Sequence, residues 1–340
     1  MNDEYDAIVL ISFGGPEGPD DVLPFLRNVT AGRGIPDERL REVSAHYDRF
    51  GGVSPINQQC RDLIAALELE LRGVGIDLPI HWGNRNWHPM LADTVAAMRD
   101  DGVTNALGIV TSAFSSYSSC RQYQEDIAAA RAVVGQGAPT IDKVRPYWDH
   151  PGFLAAVTDR TDSAIAALDD RERRAARLVF TAHSIPMSMA ATSDYVAQLE
   201  EAAHIISTRL PTIAGYDLAY QSRSGAPHVP WLEPDIVEHL GTLDPATIAV
   251  VVPLGFVSDH MEVLFDLDLE AANAAEERGI RFIRVPTVGT HPRFVRALRE
   301  LIEERLDDRP RLSCAADGPR PDVCAADCCP APIRPASPTN

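Results

Sequence analysis

Four of the chain's six cysteines lie close together near its end, at Cys314, Cys324, Cys328 and Cys329. Their spacing is C-x9-C-x3-C-C, within a stretch too rich in proline to form a core of its own. Four thiolates are the usual ligands of iron–sulfur clusters and of many zinc sites. The sequence therefore predicts a metal site on a tail that follows the main body.

A histidine and two Gly-containing segments follow predicted strands of the main body. His183 ends the run RLVFTAH, the first strand leads into Phe13 and Gly14, and a later strand leads into 255–260. Ligands of open α/β sheets bind beyond the carboxyl ends of the strands. A lone histidine at a strand end is commonly a hydrogen-bonded loop residue, but three polar strand ends favour a shared cleft.

A line of carboxylates begins at Glu262. If residues 261–271 are helical, Glu262, Asp266 and Glu270 are spaced i, i+4 and i+8 and share one face. Like charges at this spacing repel, so the line makes sense as a path for cations or protons. The alternative is an exposed acidic helix face, and Asp268, which falls off the line, is expected on the surface.

Short β-branched runs alternate with longer amphipathic runs, which predicts strands and helices in turn. Predicted strands cover residues 7–13, 79–83, 106–111, 177–182, 218–221, 248–254 and 280–285. Predicted helices cover residues 91–99, 122–134, 153–168, 193–209 and 292–306, and a further apolar face contains Cys60, Leu63, Leu67 and Leu71. This order indicates an α/β fold with two parallel sheets flanked by helices.

The domain boundary is predicted between about residues 108 and 150. We set domains at 1–115 and 116–307, followed by a Cys- and Pro-rich tail at 308–340, with the last helix, 292–307, free to pack back across the first domain. No sequence repeat is visible, although two such halves are compatible with structural copies.

Composition limits the partners and the compartment. A formal net charge of −18 argues against nucleic acid, whose phosphates require clustered Lys and Arg. No apolar run is long enough to span a membrane, and the acidic start MNDEYDAIVL is unlike a signal peptide. We expect a cytoplasmic monomer without stable membrane association, in which clustered cysteines bind metal and do not form disulfides.

Several motifs resemble the ferrochelatase family, and more narrowly its bacterial coproporphyrin III group. The residues that carry the resemblance are SFGGP (12–16), FGGVSP (50–55), GNRNW (83–87), TAHSIP (181–186), QSRSG (221–225) and GFVSDHME (255–262). The similarity covers about residues 6–307. It implies two Rossmann-like, chelatase-type domains with the substrate cleft between them.

The resemblance also implies a reaction, in which ferrous iron enters coproporphyrin III as two pyrrole protons leave. By this likeness His183 and Glu262 are catalytic and metal-binding residues that face each other across the macrocycle centre, and Asp266 and Glu270 extend the acidic path outward. Imidazole can accept protons near neutral pH or bind iron, and both roles stay open. The alternatives are protoporphyrin IX as substrate, another metal, or a non-enzymatic porphyrin or iron carrier.

Porphyrin contacts carried over from the family are Ser54 and Tyr123, with His46 and Tyr47 as weaker candidates in the same lobe. Phe13 is a departure, because many coproporphyrin-type members have tyrosine there. Phenylalanine has no oxygen to coordinate iron, so we expect weaker retention of the product.

The tail loosely resembles that of ferrochelatases with a 2Fe–2S cluster, and we expect this cofactor here. Because Cys328 and Cys329 are adjacent, and so awkward partners at one cluster, Cys120 is an alternative fourth ligand. The competing interpretations are a zinc site and an unligated tail. For the role of a cluster there are two hypotheses, a structural staple and an iron or redox sensor. Cys60 is expected in the core.

Overall fold

The structure is a computed structural model that describes residues 5–32, 34–225, 228–325 and 327–332. Its strands are β1 (Ala7–Ser12), β2 (Ile80–Asn84), β3 (Asn105–Val110), β4 (Thr140–Lys143), β5 (Ala176–His183), β6 (Tyr216–Gln221), β7 (Ile248–Val252) and β8 (Arg281–Arg284). Its α-helices are α1 (Pro19–Val29), α2 (Asp37–Asp48), α3 (Ile56–Gly73), α4 (Leu91–Asp100), α5 (Gln122–Val134), α6 (Pro151–Ala164), α7 (Asp170–Ala175), α8 (Met187–Ala190), α9 (Tyr195–Thr208), α10 (Ile236–Leu240), α11 (Met261–Val263), α12 (Ala272–Glu277) and α13 (Pro292–Leu306). Two segments are π-helical, π1 (Tyr117–Arg121) and π2 (Leu264–Ala271).

The strands form two parallel four-stranded sheets, ordered β2-β1-β3-β4 and β6-β5-β7-β8. Along β1, Ile8 and Leu10 enter one apolar cluster whereas Val9 and Ile11 enter another, as the two-residue period of a strand requires. Both faces of this sheet are therefore covered. The predicted α/β fold with two parallel sheets is confirmed, and the two halves share one strand order although no sequence repeat is visible.

The first sheet extends beyond the boundary predicted after residue 115. Its edge strand β4 pairs with β3 from Asn105–Thr140 to Gly108–Lys143. The sequence did not predict β4, because Ile141 is its only fully buried residue and the apolar pattern is too short to recognise. A boundary at 115 would remove this strand from its sheet, so the first sheet ends later, inside the predicted interval of 108–150.

Helix α13 joins the two halves. Pro292 occupies its first turn, and the preceding His291 caps it by accepting a hydrogen bond from the Arg293 amide at 3.3 Å. Its apolar face, which includes Phe294 and Leu298, is buried, and the helix packs against α3 and α6. Among the helices of the described ranges, none has both the length and the apolar character to cross a bilayer.

A buried charge network anchors the start of the tail. The Arg145 guanidinium is fully buried and binds Glu304 at 2.9 Å and Asp149 at 3.0 Å. It also donates to the Leu312 carbonyl at 2.6 Å, while the Ser313 hydroxyl donates to Asp149 at 2.5 Å. These bonds hold residues 312–313 to the main body through groups other than the cysteines.

Candidate active site

The order in which strands are added to the second sheet reverses between β5 and β7. The candidate residues lie at this point of the sheet. β5 pairs with β6 on one side and β7 on the other, so crossovers leave in opposite directions and open a crevice at the carboxyl ends. His183 is the last residue of β5, and the loop after β7 leads to Glu262 at the start of the next helix. Chain topology thus brings together two residues that are far apart in sequence.

His183 and Glu262 form the centre of the site. His183 Nε2 lies 3.6 Å from Glu262 Oε2, and His183 Nδ1 lies 2.5 Å from the Ser184 carbonyl oxygen. Because a carbonyl oxygen only accepts, Nδ1 carries a proton and Nε2 is the nitrogen directed at the carboxylate. In the neutral ring, the Nε2 lone pair is therefore free to accept a proton or bind a metal.

Each member of the pair shifts the pKa of the other. Burial lowers the pKa of His183, but the carboxylate of Glu262 and the Ser184 carbonyl outweigh it, and the net pKa is raised. Burial would raise the pKa of Glu262, yet the imidazole of His183 lowers it to about 2, with help from His260 at 3.8 Å. Glu262 is thus a permanent anion at neutral pH, and it favours a proton on His183.

The acidic line begins on a short α-helix and continues along a π-helix, where the sequence predicted one α-helix. Only Met261–Val263 is α-helical, and Leu264–Ala271 follows as π2. Hydrogen bonds from residue i to i+5 widen each turn beyond four residues, which brings residues four apart closer to one line than an α-helix does. This local winding favours the alignment of Glu262, Asp266 and Glu270.

Asp266 is held by the end of β6. The Ser222 hydroxyl donates to Asp266 Oδ2, and Gln221 Nε2 donates to the Glu262 carbonyl at 3.2 Å. Burial raises the pKa of Asp266 to about 7 against the hydrogen bond from Ser222, and the carboxylates of Glu262 and Glu270 add to the rise. Burial also raises the pKa of Glu270, which lies at the exposed end of the line.

Phe13, Tyr47 and His46 lie in the first lobe. Phe13 is 37% exposed at the end of β1, and Tyr47 is buried, where the nearby Glu262 charge adds to the effect of burial and raises its pKa. The His46 ring stacks on Phe265 of π2, with 3.9 Å between ring centroids and 3° between planes. One face of His46 is therefore covered by the opposite lobe.

Ser54 and Tyr123 are both buried. Ser54 packs so closely on Gly15 that a Cβ added to Gly15 would lie 2.7 Å from the Ser54 Cβ. Tyr123 lies in the core of the first sheet, with the Arg85 guanidinium 3.8 Å above its ring centre. A porphyrin could reach either side chain only after these neighbours had moved.

Cys120 lies with three tail cysteines. Its pKa is lowered to about 6, most strongly by a hydrogen bond with Cys324, against burial and with help from Lys143. The Cys324 thiol is in turn hydrogen-bonded to Cys328, whose Sγ is 3.6 Å from that of Cys329. All four thiols are thus linked through neighbouring pairs.

Cys314 makes different contacts. Its Sγ accepts from Arg209 at 3.7 Å and its amide donates to the Asp149 carbonyl at 2.8 Å. Cys60 is 2% exposed within a core cluster, as predicted. In the described part of the chain, no three His, Cys, Asp or Glu side chains already converge on a point that would hold a metal ion.

Three polar residues near the acidic line were not predicted as site residues: Gln221, Ser222 and His260. Gln221 ends β6 and Ser222 follows it, so the rule used for His183 would have found them. His260 is a helix N-cap whose Nδ1 accepts from the Glu262 amide at 3.2 Å. It lies beside the carboxylate because it fixes the start of that helix.

Known protein families and solved structures include relatives of this chain. A family model described as ferrochelatase matches residues 5–306. The chain is 50% identical over 350 residues to the coproporphyrin III ferrochelatase of Nocardia farcinica, covering 98% of each chain. It is 51% identical over 331 residues to the ferrochelatase of Rhodopirellula baltica, covering 96% of this chain and 93% of the other. The sirohydrochlorin chelatase SirB from Bacillus subtilis subspecies spizizenii, solved in complex with cobalt, shares the fold with a TM-score of 0.55 at 12% identity, over 90% of this chain and 97% of that one.

Proposed function

The chain belongs to the ferrochelatase family, and we propose that it inserts ferrous iron into coproporphyrin III to give coproheme. The relatives that carry the coproporphyrin III name match nearly the whole chain at about half identity, which favours this substrate over protoporphyrin IX. The likeness to a cobalt-bound chelatase concerns the fold alone and assigns no metal.

The observation that carries the proposal is the pair of His183 and Glu262 at 3.6 Å, at the carboxyl edge of the second sheet. Porphyrin metallation must remove two pyrrole protons and deliver a divalent cation to the same point. We assign acceptance of these protons to His183 Nε2, because its lone pair faces the site when the ring is neutral. Nε2 takes the two protons one at a time and passes each to solvent, to which 32% of the His183 side chain is exposed. Glu262, which stays anionic, attracts the iron and stabilises the imidazolium that forms.

Asp266 and Glu270 extend this negative potential outward along π2. Carboxylates are suitable ligands for a cation that must be bound briefly and passed on. We propose that iron, as the substrate, approaches along this line. A carrier that only stores porphyrin has no need of such a path, which favours the enzyme over the carrier.

The apolar side of the cleft includes Phe13 of the first lobe. As a phenylalanine it offers the product no axial oxygen, and we propose that iron coproporphyrin is retained less firmly than in relatives with tyrosine there. Ser54, Tyr47, His46 and Tyr123 remain proposed porphyrin contacts, although burial means that Ser54 and Tyr123 would act from behind the cleft surface. We also propose that the protein works as a cytoplasmic monomer without stable membrane association.

We propose further that Cys120, Cys324, Cys328 and Cys329 hold a 2Fe–2S cluster, with Cys120 in place of Cys314. The donor set fits, because two sulfurs bound to one tetrahedral metal at about 2.3 Å are separated by about 3.8 Å, close to the 3.6 Å between Cys328 and Cys329. The positive φ of Cys329, 49°, helps to bring these adjacent side chains together. In a cluster with two irons, each iron binds two of the four thiolates. One zinc ion would need all four thiolates to converge on the same point.

When bound, such a cluster supplies a one-electron redox centre or a structural staple. The contacts of the chain show how it positions two of these cysteines. Lys143 donates to the Cys120 carbonyl at 3.2 Å, and Arg121 donates to the Cys328 carbonyl at 2.8 Å, so both cysteines have anchored backbones. We assign the cluster no step in metal insertion.

The test of the main proposal compares His183→Ala with the wild type in anaerobic assays with ferrous iron and coproporphyrin III. We expect metallation to be lost while porphyrin still binds. His204→Ala is the matched control, because His204 is exposed on α9 and away from the site. Equal turnover of wild type and His183→Ala would contradict the assigned role.

A further inference from the structure

Arg284 is a charged residue outside the acidic line. It contacts the segment that carries the acidic line at two places. It is the last residue of the edge strand β8, opposite Val251 of β7, and the amide of the next residue, Val285, donates to the Val251 carbonyl at 2.8 Å. Only 18% of its side chain is exposed. The paired backbone and the burial of the side chain restrict where the guanidinium can lie.

Both contacts are close. Arg284 Nη1 lies 2.9 Å from Asp259 Oδ1, and Nε and Nη2 bind the two oxygens of Asp268 at 2.7 and 3.1 Å. The bond to Asp268 is therefore bidentate, the strongest geometry for this pair. Asp259 is tied in addition to the first half of the chain, because its amide donates to Gln59 Oε1 at 2.8 Å.

The two aspartates lie on the segment that carries the proposed metal path. Asp259 comes three residues before Glu262, and Asp268 lies between Asp266 and Glu270 in π2. A π-helical turn is rare and usually occurs only as a short insertion, so its winding needs support from outside the helix. Asp268, expected from the sequence to be a simple surface residue, supplies one such support.

We propose that Arg284 is a positioning residue for metal insertion, which clamps the loop before Glu262 and the middle of π2 to the edge of the second sheet. The inference rests on the proposed roles of Glu262, Asp266 and Glu270. Arg284 does not touch the reacting atoms. It sets the spacing of the carboxylates along which the cation moves, and it leaves the porphyrin side of the cleft alone.

The geometry also explains why the residue is arginine. One planar fork reaches two carboxylates at once, whereas a lysine ammonium would reach one of them. Arg284→Lys should therefore keep the positive charge and lose the clamp. It separates the effect of charge from the effect of two-point attachment.

The experiment measures kcat, the KM for ferrous iron, the KM for coproporphyrin III and the thermal midpoint of Arg284→Met and Arg284→Lys. The matched control is Arg281→Met on the same strand, since Arg281 forms an ordinary exposed pair with Glu172 at 2.5 Å. We expect kcat/KM for iron to fall about tenfold to a hundredfold in both Arg284 variants, as for other residues that orient metal ligands. Porphyrin affinity should stay at the wild-type value, and the control should behave as wild type.

A purely structural role predicts something different. In that case the loss of activity would follow the loss of folded protein, with unchanged KM for iron in the fraction that remains. That result, or wild-type kinetics in Arg284→Met, would overturn the proposal. Should Arg284→Met fail to fold, Asp268→Asn cuts only the π2 side of the clamp and is held to the same criteria. A wild type that does not metallate at all would instead refute the proposed function.

Discussion

Replacing Glu262 by Gln should stop metal insertion and at the same time change the protonation of His183. The substitution keeps the size and shape of the side chain, removes one negative charge and replaces one accepting oxygen by an NH2 donor. His183 Nε2 and Glu262 Oε2 are 3.6 Å apart, so the imidazole loses its nearest anion. The remaining large influence on His183 is burial, which lowers its pKa.

The size of the effect follows from Coulomb's law. Unit charges 3.6 Å apart attract by about 1 kcal/mol in water and about 4–5 kcal/mol at an effective dielectric of 20. Because the Glu262 side chain is 45% exposed, solvent screening favours the lower part of this range. A loss of about 1–2 kcal/mol changes the ratio of protonated to neutral His183 roughly 5–30-fold.

The direction of the pH dependence follows from the raised pKa of His183. Neutral His183 accepts protons, so the rate should rise with pH as His183 loses its own proton, above the ordinary pKa of histidine. In Glu262→Gln the acid side of the profile should move to lower pH. The maximal rate should nevertheless fall by about 10²–10³-fold, the range for removal of one electrostatic stabiliser, because a neutral glutamine neither attracts the iron nor stabilises the imidazolium.

The assay records the pH dependence of iron insertion by absorbance under anaerobic conditions, with porphyrin affinity measured separately by fluorescence quenching. Glu277→Gln is the matched control, because it removes the same charge from an exposed position of α12. Wild-type turnover in Glu262→Gln would refute the assigned chemistry. Residual activity with an unmoved acid limb would refute the electrostatic link between the two residues.

Three further predictions test other parts of the structure. Since the pKa of Asp266 is about 7 when folded and 3.8 is its ordinary value, the folded state holds an extra proton between these values, and wild-type stability should fall as pH rises through them. Asp266→Asn should therefore raise the thermal midpoint by about 2 °C at pH 8 and lose this advantage near pH 4, as measured by calorimetry. Arg145→Met leaves buried carboxylates without a partner and should cost about 3–5 kcal/mol of unfolding free energy in urea, with faster proteolysis of the tail; unchanged stability would show that the network does not anchor it. Cys120→Ser should abolish the visible absorption, iron and acid-labile sulfide of the anaerobically purified protein, whereas Cys314→Ser should retain them, and the reverse pattern would reject Cys120 as a ligand.

The architecture was predictable because it depends on patterns that are local in sequence. Apolar runs such as that of β5 and amphipathic runs such as α13 have clear periods, and their alternation is enough to predict parallel sheets. β4 was missed because four residues with one fully buried side chain carry no such period. The domain boundary was placed too early for the same reason.

The site was predictable where it depends on strand ends and not where it depends on contacts between distant segments. His183 ends a strand and Glu262 begins a line of acids, so the sequence alone made both of them candidates. The π-helical winding of 264–271, the stack of His46 on Phe265 and the clamp by Arg284 each need a partner from another element. Cys120 was only an alternative ligand from the sequence, because its contact with Cys324 joins segments that are far apart in the chain.

The most direct test of the account is an anaerobic absorption spectrum of the purified protein before and after addition of ferrous iron and coproporphyrin III. The account predicts that the free-base porphyrin bands are replaced by those of an iron porphyrin, faster than in a mixture without protein and faster than with protoporphyrin IX. Porphyrin that binds to the protein and keeps its free-base bands would contradict it, and the protein would then be a carrier.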